Sequence, residues 1–264
     1  MMRQTTVQTT VQTTVQTTVQ TTEQATEQAT HPSTSPSKTQ VIPISLGMVK
    51  VFLIKGEKAI LVDTGMPGDP APLFAALRRH QVEPGDLSLI VCTHGHADHA
   101  GKLASISRLT GVRVAVHRCE AERLARGMTA EASPVTRFGA FVARIIGSPP
   151  IEPFQADILV DESFDLSPFG VAGKLIHTPG HTVGSLTVCL DNGSMIAGDL
   201  FNGKRVRHQA LGRASRPFFA RDLDQLAASL RKIASLSPAI IYNAHGVPAD
   251  ADAVIKLADA LERR

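Results

Sequence analysis

Residues 93–99 constrain this chain more than any other segment. They place three histidines and one aspartate within six positions, directly after the apolar run at residues 87–92. Only 10 of the 264 residues are histidine, so folding alone does not explain this concentration. If the apolar run is a buried strand, side chains two positions apart project to the same side where that strand ends. The segment predicts a metal site, with the donors His94, His96, Asp98 and His99.

The same local pattern recurs four more times along the chain. Each case is a single histidine or aspartate that follows an apolar segment and precedes a glycine-containing or polar turn; these residues are Asp63, His181, Asp199 and His245. Strand ends of a layered sheet can converge on one edge, so the repeated pattern favours one shared site. Imidazole and carboxylate donors suit zinc, iron or manganese, and the shortage of nearby thiolates argues against a structural zinc finger. Asp63 fits either a capping residue or an acceptor that orients a ligand histidine.

The chain divides into two regions by composition. Residues 5–20 repeat Thr-Thr-Val-Gln four times, and a stretch rich in proline and serine follows. Such a repeat offers too little apolar surface to offset the entropy of ordering the chain. We therefore predict a disordered low-complexity tail over residues 1–38 and one folded domain over residues 39–264.

Strand and helix patterns alternate from residue 41 to the end, which predicts a layered α/β architecture. Residues 130–157 give the weakest pattern. An apolar stripe there recurs at helical spacing, and we expect it to pack mainly on the core, with a lid or substrate wall as the alternative. A loop rich in basic residues is predicted after Asp199. It contains Lys204, Arg205, Arg207, His208, Arg213 and Arg216.

Composition narrows the class of protein. The net charge of +3 is mild and does not favour nucleic-acid or membrane partners. No apolar run reaches the roughly 18 residues of a membrane helix, and the N-terminus lacks the apolar core of a signal peptide. The 3 cysteines are an odd number in apolar or mixed segments, so we expect them to be reduced and the protein to be cytoplasmic.

These motifs resemble the metallo-β-lactamase superfamily of hydrolases, from about residue 41 onward and in the expected order. The resemblance implies a four-layer αββα sandwich with a two-metal site, most simply two Zn²⁺ ions, although iron or manganese fits the same donors. It implies that His94, His96 and His181 hold the first ion. It implies that Asp98, His99 and His245 hold the second, and that Asp199 bridges both. Asp98 and Asp199 would then be the catalytic carboxylates.

Two divalent ions against two carboxylates leave excess positive charge, which should make a bridging hydroxide available near neutral pH. We expect that hydroxide to cleave a small ester, thioester or lactone, with a phosphodiester as a less favoured substrate. Asp199 argues against a true β-lactamase, because lactam-hydrolysing members usually lack aspartate at this position. Only 19 residues follow His245 (264 − 245), which argues against the helical domain of the hydroxyacylglutathione hydrolases. The substrate-contacting tyrosine of the acyl homoserine lactonases has no clear counterpart.

Two alternatives belong to other classes. A mononuclear iron persulfide dioxygenase of the same fold would use part of the motif, and a non-catalytic binding module would use none of it for chemistry. We expect a small-molecule substrate as partner, with an anionic group if the basic loop contacts it. The sequence does not indicate an oligomeric state.

Overall fold

The first half of the folded chain builds a mixed sheet whose strands lie in chain order. The computed structural model describes residues 39–146, 149–207 and 210–263. The first three strands pair antiparallel, and each later strand pairs parallel to the one before it. The strands are β1 Gln40–Leu46, β2 Val49–Lys55, β3 Ala59–Val62, β4 Leu87–Val91, β5 Val114–His117 and β6 Ile158–Val160.

The second half builds a five-stranded sheet in which only one strand pair is parallel. Its strands are β7 Ser163–Asp165, β8 Gly173–His177, β9 Leu186–Leu190, β10 Ser194–Ile196 and β13 Ile240–Tyr242, in the spatial order β13-β10-β9-β8-β7. A separate antiparallel hairpin consists of β11 Asn202–Lys204 and β12 Arg213–Ser215. The predicted loop after Asp199 is therefore wrong in part, since both ends of the basic segment form strands.

Seven helices connect and cover the strands in the described part of the chain. They are α1 Ala71–Arg79, α2 Ala97–Ala100, α3 Leu103–Thr110, α4 Arg118–Ala125, α5 Arg137–Ile146, α6 Leu223–Ala234 and α7 Ala251–Glu262. Side-chain caps fix the starts of the last two: Asp222 accepts hydrogen bonds from the backbone at the start of α6, and Asp250 does so for α7. Among the described residues, no helix combines the length and apolarity needed to cross a membrane.

Three apolar layers hold these elements together. Alternate residues of β2 face opposite sides: Val51 and Leu53 pack with helices α1 and α3, whereas Phe52 and Ile54 pack between the two sheets. The other face of the second sheet packs on α6 and α7. The order helix, sheet, sheet, helix confirms the predicted αββα sandwich.

The structure answers two further predictions about segments. The residues described here belong to one compact unit spanning 37–264, and the predicted disordered tail at 1–38 lies outside the described residues. The helix predicted within residues 130–157 exists as α5, but its described apolar side chains are not part of the core. Phe138, Phe141 and Ile145 are 57%, 59% and 67% exposed. The preference for core packing was wrong, because this helix lies outside the three apolar layers.

Candidate metal centre

The predicted donors come together where strands of the two sheets end. The cluster His94 to His99 follows β4 of the first sheet, whereas His181, Asp199 and His245 follow β8, β10 and β13 of the second. The side chains form two groups, and within each group the donor atoms lie within 4.8 Å of one another. The groups are a triad, His94, His96 and His181, and a tetrad, Asp98, His99, Asp199 and His245. The structure thus brings all seven predicted residues together.

The triad presents three ring nitrogens to one another at short range. His94 Nε2 lies 3.1 Å from His96 Nδ1, and His181 Nε2 lies 3.1 Å and 3.0 Å from those two atoms. Outside the triad, each ring donates to an oxygen. His181 Nδ1 donates to the Phe219 carbonyl at 2.8 Å, and His96 Nε2 donates a longer bond to the Glu131 carbonyl at 3.4 Å.

The third ring of the triad follows the same rule. Thr93 Oγ1 donates to Asp63 Oδ2 at 2.8 Å, so its lone pair is free to accept from His94 Nδ1 at 3.1 Å. A neutral imidazole carries one proton, so all three inward nitrogens are unprotonated. Burial, followed by neighbouring histidines, lowers the pKa of His94, and burial lowers that of His181 to about 3. Three lone pairs therefore face one point with no proton between them, which a cation would satisfy.

The tetrad combines two imidazoles with two carboxylates. His245 Nε2 lies 3.1 Å from Asp98 Oδ2 and 3.3 Å from Asp199 Oδ2, and His99 Nε2 lies 3.4 Å from Asp199 Oδ1. Asp199 also approaches the triad, because its Oδ2 is 3.7 Å from His181 Nε2. One carboxylate therefore contacts both groups of donors.

The carboxylates reverse the electrostatics found in the triad. Burial alone would lower the pKa of His245, but Asp199 and Asp98 outweigh it and raise that pKa to about 10. Burial likewise opposes charge on His99, yet the carboxylates of Asp199, Asp98 and Asp63 hold its pKa well above the usual value. The tetrad is a site that attracts positive charge, whether from protons or from a metal ion.

Two buried atoms of the tetrad make no hydrogen bond within the described residues. They are His99 Nε2 and Asp199 Oδ1. Buried polar atoms normally have partners, so an unpartnered pair at the same point calls for an explanation. The nitrogen is a metal donor in its neutral form and the oxygen is one as a carboxylate. The residues present therefore fit a metal ion in the tetrad as well as in the triad.

Asp63 lies behind the tetrad at the end of β3. Its Oδ2 accepts from His99 Nδ1 at 2.8 Å, and its Oδ1 accepts from the Thr93 backbone at 2.7 Å. The same carboxylate therefore turns His99 Nε2 toward the tetrad and fixes the residue before His94. This is the acceptor arrangement that orients ligand histidines in metal sites.

Sequence reasoning missed several groups that position the donors. Two are backbone carbonyls: Phe219 accepts from His181, and Met48 accepts from His245 Nδ1 at 2.9 Å. A third is Glu120, which is buried and accepts from the Gly184 backbone at 3.1 Å, beside the loop that carries His181. Every residue has a carbonyl, so no sequence signal marks the first two, and Glu120 is one of two acidic residues in a charged helix.

A cavity of about 810 Å³ opens over the donors. His96, Asp98, His181, Asp199 and His245 form part of its lining. Of the predicted basic cluster, Lys204 and Arg216 line the cavity, while Arg205, Arg207 and Arg213 do not and are exposed. His208 lies outside the described residues. Two further histidines, His117 and His177, are not part of the cavity lining, and their rings stack on each other with centroids 3.9 Å apart.

Comparisons with known proteins agree with this architecture. The curated protein MJ0888 of Methanocaldococcus jannaschii, described as a probable metallo-hydrolase, is 32% identical over 148 residues, which cover 56% of this chain and 65% of that protein. This chain therefore matches slightly less than two thirds of that relative's length.

Solved structures share the fold. Rm3 metallo-β-lactamase superposes with a TM-score of 0.61 at 20% identity, covering 84% of this chain and 89% of that one. TTHA1623, solved in a di-iron-bound form, gives a TM-score of 0.59 at 24% identity, covering 82% and 98%. A family model described as the metallo-β-lactamase superfamily matches residues 44–245, a span that includes all seven donors and Asp63. The chain belongs to the metallo-β-lactamase superfamily.

Proposed function

We propose that the protein is a dinuclear metal-dependent hydrolase that cleaves a small ester, thioester or lactone. The position of Asp199 is the observation that carries this proposal. Its Oδ2 lies 3.3 Å from His245 Nε2 of the tetrad and 3.7 Å from His181 Nε2 of the triad. A carboxylate between two complete donor groups supports two ions that share one ligand, as opposed to two independent sites.

The protein's own side chains would hold and orient the two ions. Divalent ions bound there would supply Lewis acidity, which lowers the pKa of a water molecule and polarises a carbonyl oxygen. The chain provides two carboxylates, Asp98 and Asp199, so the bound centre would keep excess positive charge for the reaction. The cavity leaves room for a substrate directly over these donors. No serine or cysteine nucleophile is required.

We propose zinc as the ion, because imidazole-rich sets with carboxylate oxygen suit it. Iron and manganese bind the same kinds of donor, and the di-iron form of TTHA1623 is a property of that protein. Elemental analysis of the purified protein distinguishes the three metals directly.

The test combines metal content with turnover. We expect two metal ions per chain, a clear decrease in Asp199→Ala, and no change in Asp191→Ala, which alters an exposed aspartate in the turn after β9. Exhaustive chelation should abolish hydrolysis of a panel of esters, thioesters and lactones, and added Zn²⁺ should restore it. Full activity after chelation would overturn the proposal.

The tetrad also distinguishes a two-ion hydrolase from an iron dioxygenase, because the dioxygenase uses a single ion. One iron per chain that survives Asp199→Ala, together with oxygen uptake in the presence of glutathione persulfide, would favour the dioxygenase. Metal binding without turnover of any substrate in the panel would favour a binding module. The four assembled donors of the second group support the dinuclear hydrolase over both.

We further propose that an anionic group on the substrate contacts the hairpin β11–β12. Lys204 and Arg216 line the cavity beside the donors and carry positive charge. Arg216→Gln should raise KM for a carboxylate-bearing ester relative to its neutral analogue. The matched control is Arg213→Gln, which lies in β12, the strand that ends one residue before Arg216, but does not line the cavity. An equal effect on charged and neutral esters would refute this contact.

A further inference from the structure

The cavity over the donors is much larger than a scissile carbonyl requires. Its volume of about 810 Å³ is typical of a site for a ligand of drug size, not for an acetyl group. Much of its lining away from the donors is apolar and includes Met48, Met66, Phe138, Val142 and Phe218. Four of these residues are also exposed, at 83% for Met48, 57% for Phe138, 42% for Met66 and 36% for Phe218.

One face of helix α5 forms a wall of this cavity. Phe138 and Val142 lie four residues apart and both line it, as does Ala143. Phe141 and Ile145 lie on another face and do not line it. The helix is therefore apolar toward the cavity as well as toward solvent, although none of its described apolar side chains is buried in the core.

Close contacts fix this wall to the segment Phe218 and Phe219. The Phe138 and Phe218 rings lie 5.1 Å apart in an edge-to-face arrangement, and the Val135 backbone donates to the Phe218 carbonyl at 3.0 Å. A side chain at Gly139 would begin 2.3 Å from that carbonyl, so glycine is needed for the helix to approach. The next carbonyl, that of Phe219, accepts from His181. The apolar wall is thus tied through two residues to a donor of the triad.

We propose that the substrate carries a medium-length or long apolar acyl chain, which lies against the α5 wall while its carbonyl lies over the donors. This inference rests on the proposed hydrolase and names its substrate class. Burial of apolar surface gives a chain of this kind its affinity, and the flexible side chains of Met48 and Met66 can adapt to it. Hydrolysis adds water across the acyl bond and releases the fatty carboxylic acid with the alcohol or thiol, or the hydroxy acid from a lactone.

The first experiment measures binding without turnover. Isothermal titration of the purified metal-loaded protein with acetate, hexanoate, octanoate and dodecanoate should show affinity rising by up to about fourfold for each methylene buried. Equal affinity for all four carboxylates would overturn the proposal, even if the protein hydrolyses short esters. Absence of any hydrolysis alongside this rise would refute the proposed reaction and leave the apolar site standing.

A matched pair of variants tests where the acyl chain binds. Val142→Asn places an amide in the α5 wall, and Ile145→Asn makes the same kind of change on the same helix outside the cavity. We expect the ratio of dodecanoate to acetate affinity to fall at least about fivefold in Val142→Asn, because the amide loses water against an apolar chain. The ratio should not change in Ile145→Asn. Equal behaviour of the two variants, at unchanged Tm, would contradict the assigned wall.

Discussion

Asp63 is a residue whose side chain and backbone can be tested separately. Its φ of 63° lies in the left-handed region, which asparagine tolerates well. Asp63→Asn therefore keeps the backbone but replaces a charged acceptor that holds His99 and Thr93. We expect metal affinity to fall by about 10- to 100-fold. Competition with a chromogenic chelator measures this, and Asp86→Asn, at an exposed position, is the control; equal affinities in both variants would rule out the orienting role.

His117 should make stability depend on pH. Burial, followed by the stacked ring of His177, lowers its pKa to about 4, and its Nδ1 accepts from the Cys119 backbone at the start of α4. Between that value and the unfolded pKa of about 6.5, the unfolded chain binds more protons, so stability falls as pH falls through this range. We expect a contribution of about 1 kcal/mol, reduced by solvent near the ring.

The test for His117 compares how much unfolding free energy the wild type and a variant each lose between two pH values. Chemical unfolding at pH 7 and pH 5 gives the loss of stability for the wild type and for His117→Asn, which keeps a helix-capping side chain without the titrating ring. The loss should be smaller in the variant, and the histidines of the metal centre cancel because both proteins contain them. An identical loss would show that His117 does not titrate in this range.

The residues of the candidate metal centre were predicted mainly from their types and their positions after apolar runs. The seven clustered residues could be picked out from the sequence because histidine and aspartate after an apolar run are uncommon unless chemistry needs them. The carbonyls of Phe219 and Met48 were not, since a backbone acceptor depends on where the chain passes and not on which side chain it bears. Asp63 was ambiguous for the same reason: only the fold brings it within 2.8 Å of His99 Nδ1.

Among the connecting elements, the turn after β8 depends on one glycine. Gly180 has a φ of +130°, and a side chain there would begin 2.3 Å from the backbone nitrogen of Leu226 in α6. Gly180→Ala should therefore lower Tm by several degrees and reduce metal content, because His181 is the next residue. Gly85→Ala is the control, since nothing lies within 4 Å of a side chain at that position. Equal melting temperatures would contradict a tight turn.

Elements with a long apolar pattern were predictable, and those with a short or two-sided pattern were not. The alternation of strands and helices predicted from residue 41 onward is confirmed, and β9, Leu186–Leu190, is one of its strands. The hairpin β11–β12 was missed because its strands have three residues each and contain glycine or arginine where a strand pattern expects alternation. α5 was found as a helix but placed in the core, because periodicity does not tell whether an apolar face meets protein, ligand or solvent.

At the scale of the whole molecule, the metal centre joins the two sheets. Both donor groups take residues from each sheet: His94 and His96 with His181, and Asp98 and His99 with Asp199 and His245. Metal bound at 1,000 times its Kd stabilises a fold by about 4 kcal/mol. We therefore expect chelation to lower Tm by on the order of 10 °C. Scanning calorimetry with and without a chelator checks this, and equal Tm values would show that the ions do not brace the sandwich.

The boundary of the folded domain also belongs to this scale. We predict that a chain starting at residue 39 keeps the Tm and metal content of the full chain, because β1 begins at Gln40 and the apolar layers draw on later residues. Calorimetry and elemental analysis of the shortened chain provide the test. A lower Tm would show that residues 1–38 contribute to the domain.

The link between α5 and His181 has a consequence for how such an enzyme can change. The two neighbouring carbonyls of Phe218 and Phe219 serve the cavity wall and the metal centre respectively. Any substitution that widens the wall by shifting this segment also shifts a ligand. Laboratory selection for a bulkier substrate should therefore yield variants that need a higher metal concentration for full activity. Substitutions that restore their metal affinity should arise near residue 219 before they arise on the helix.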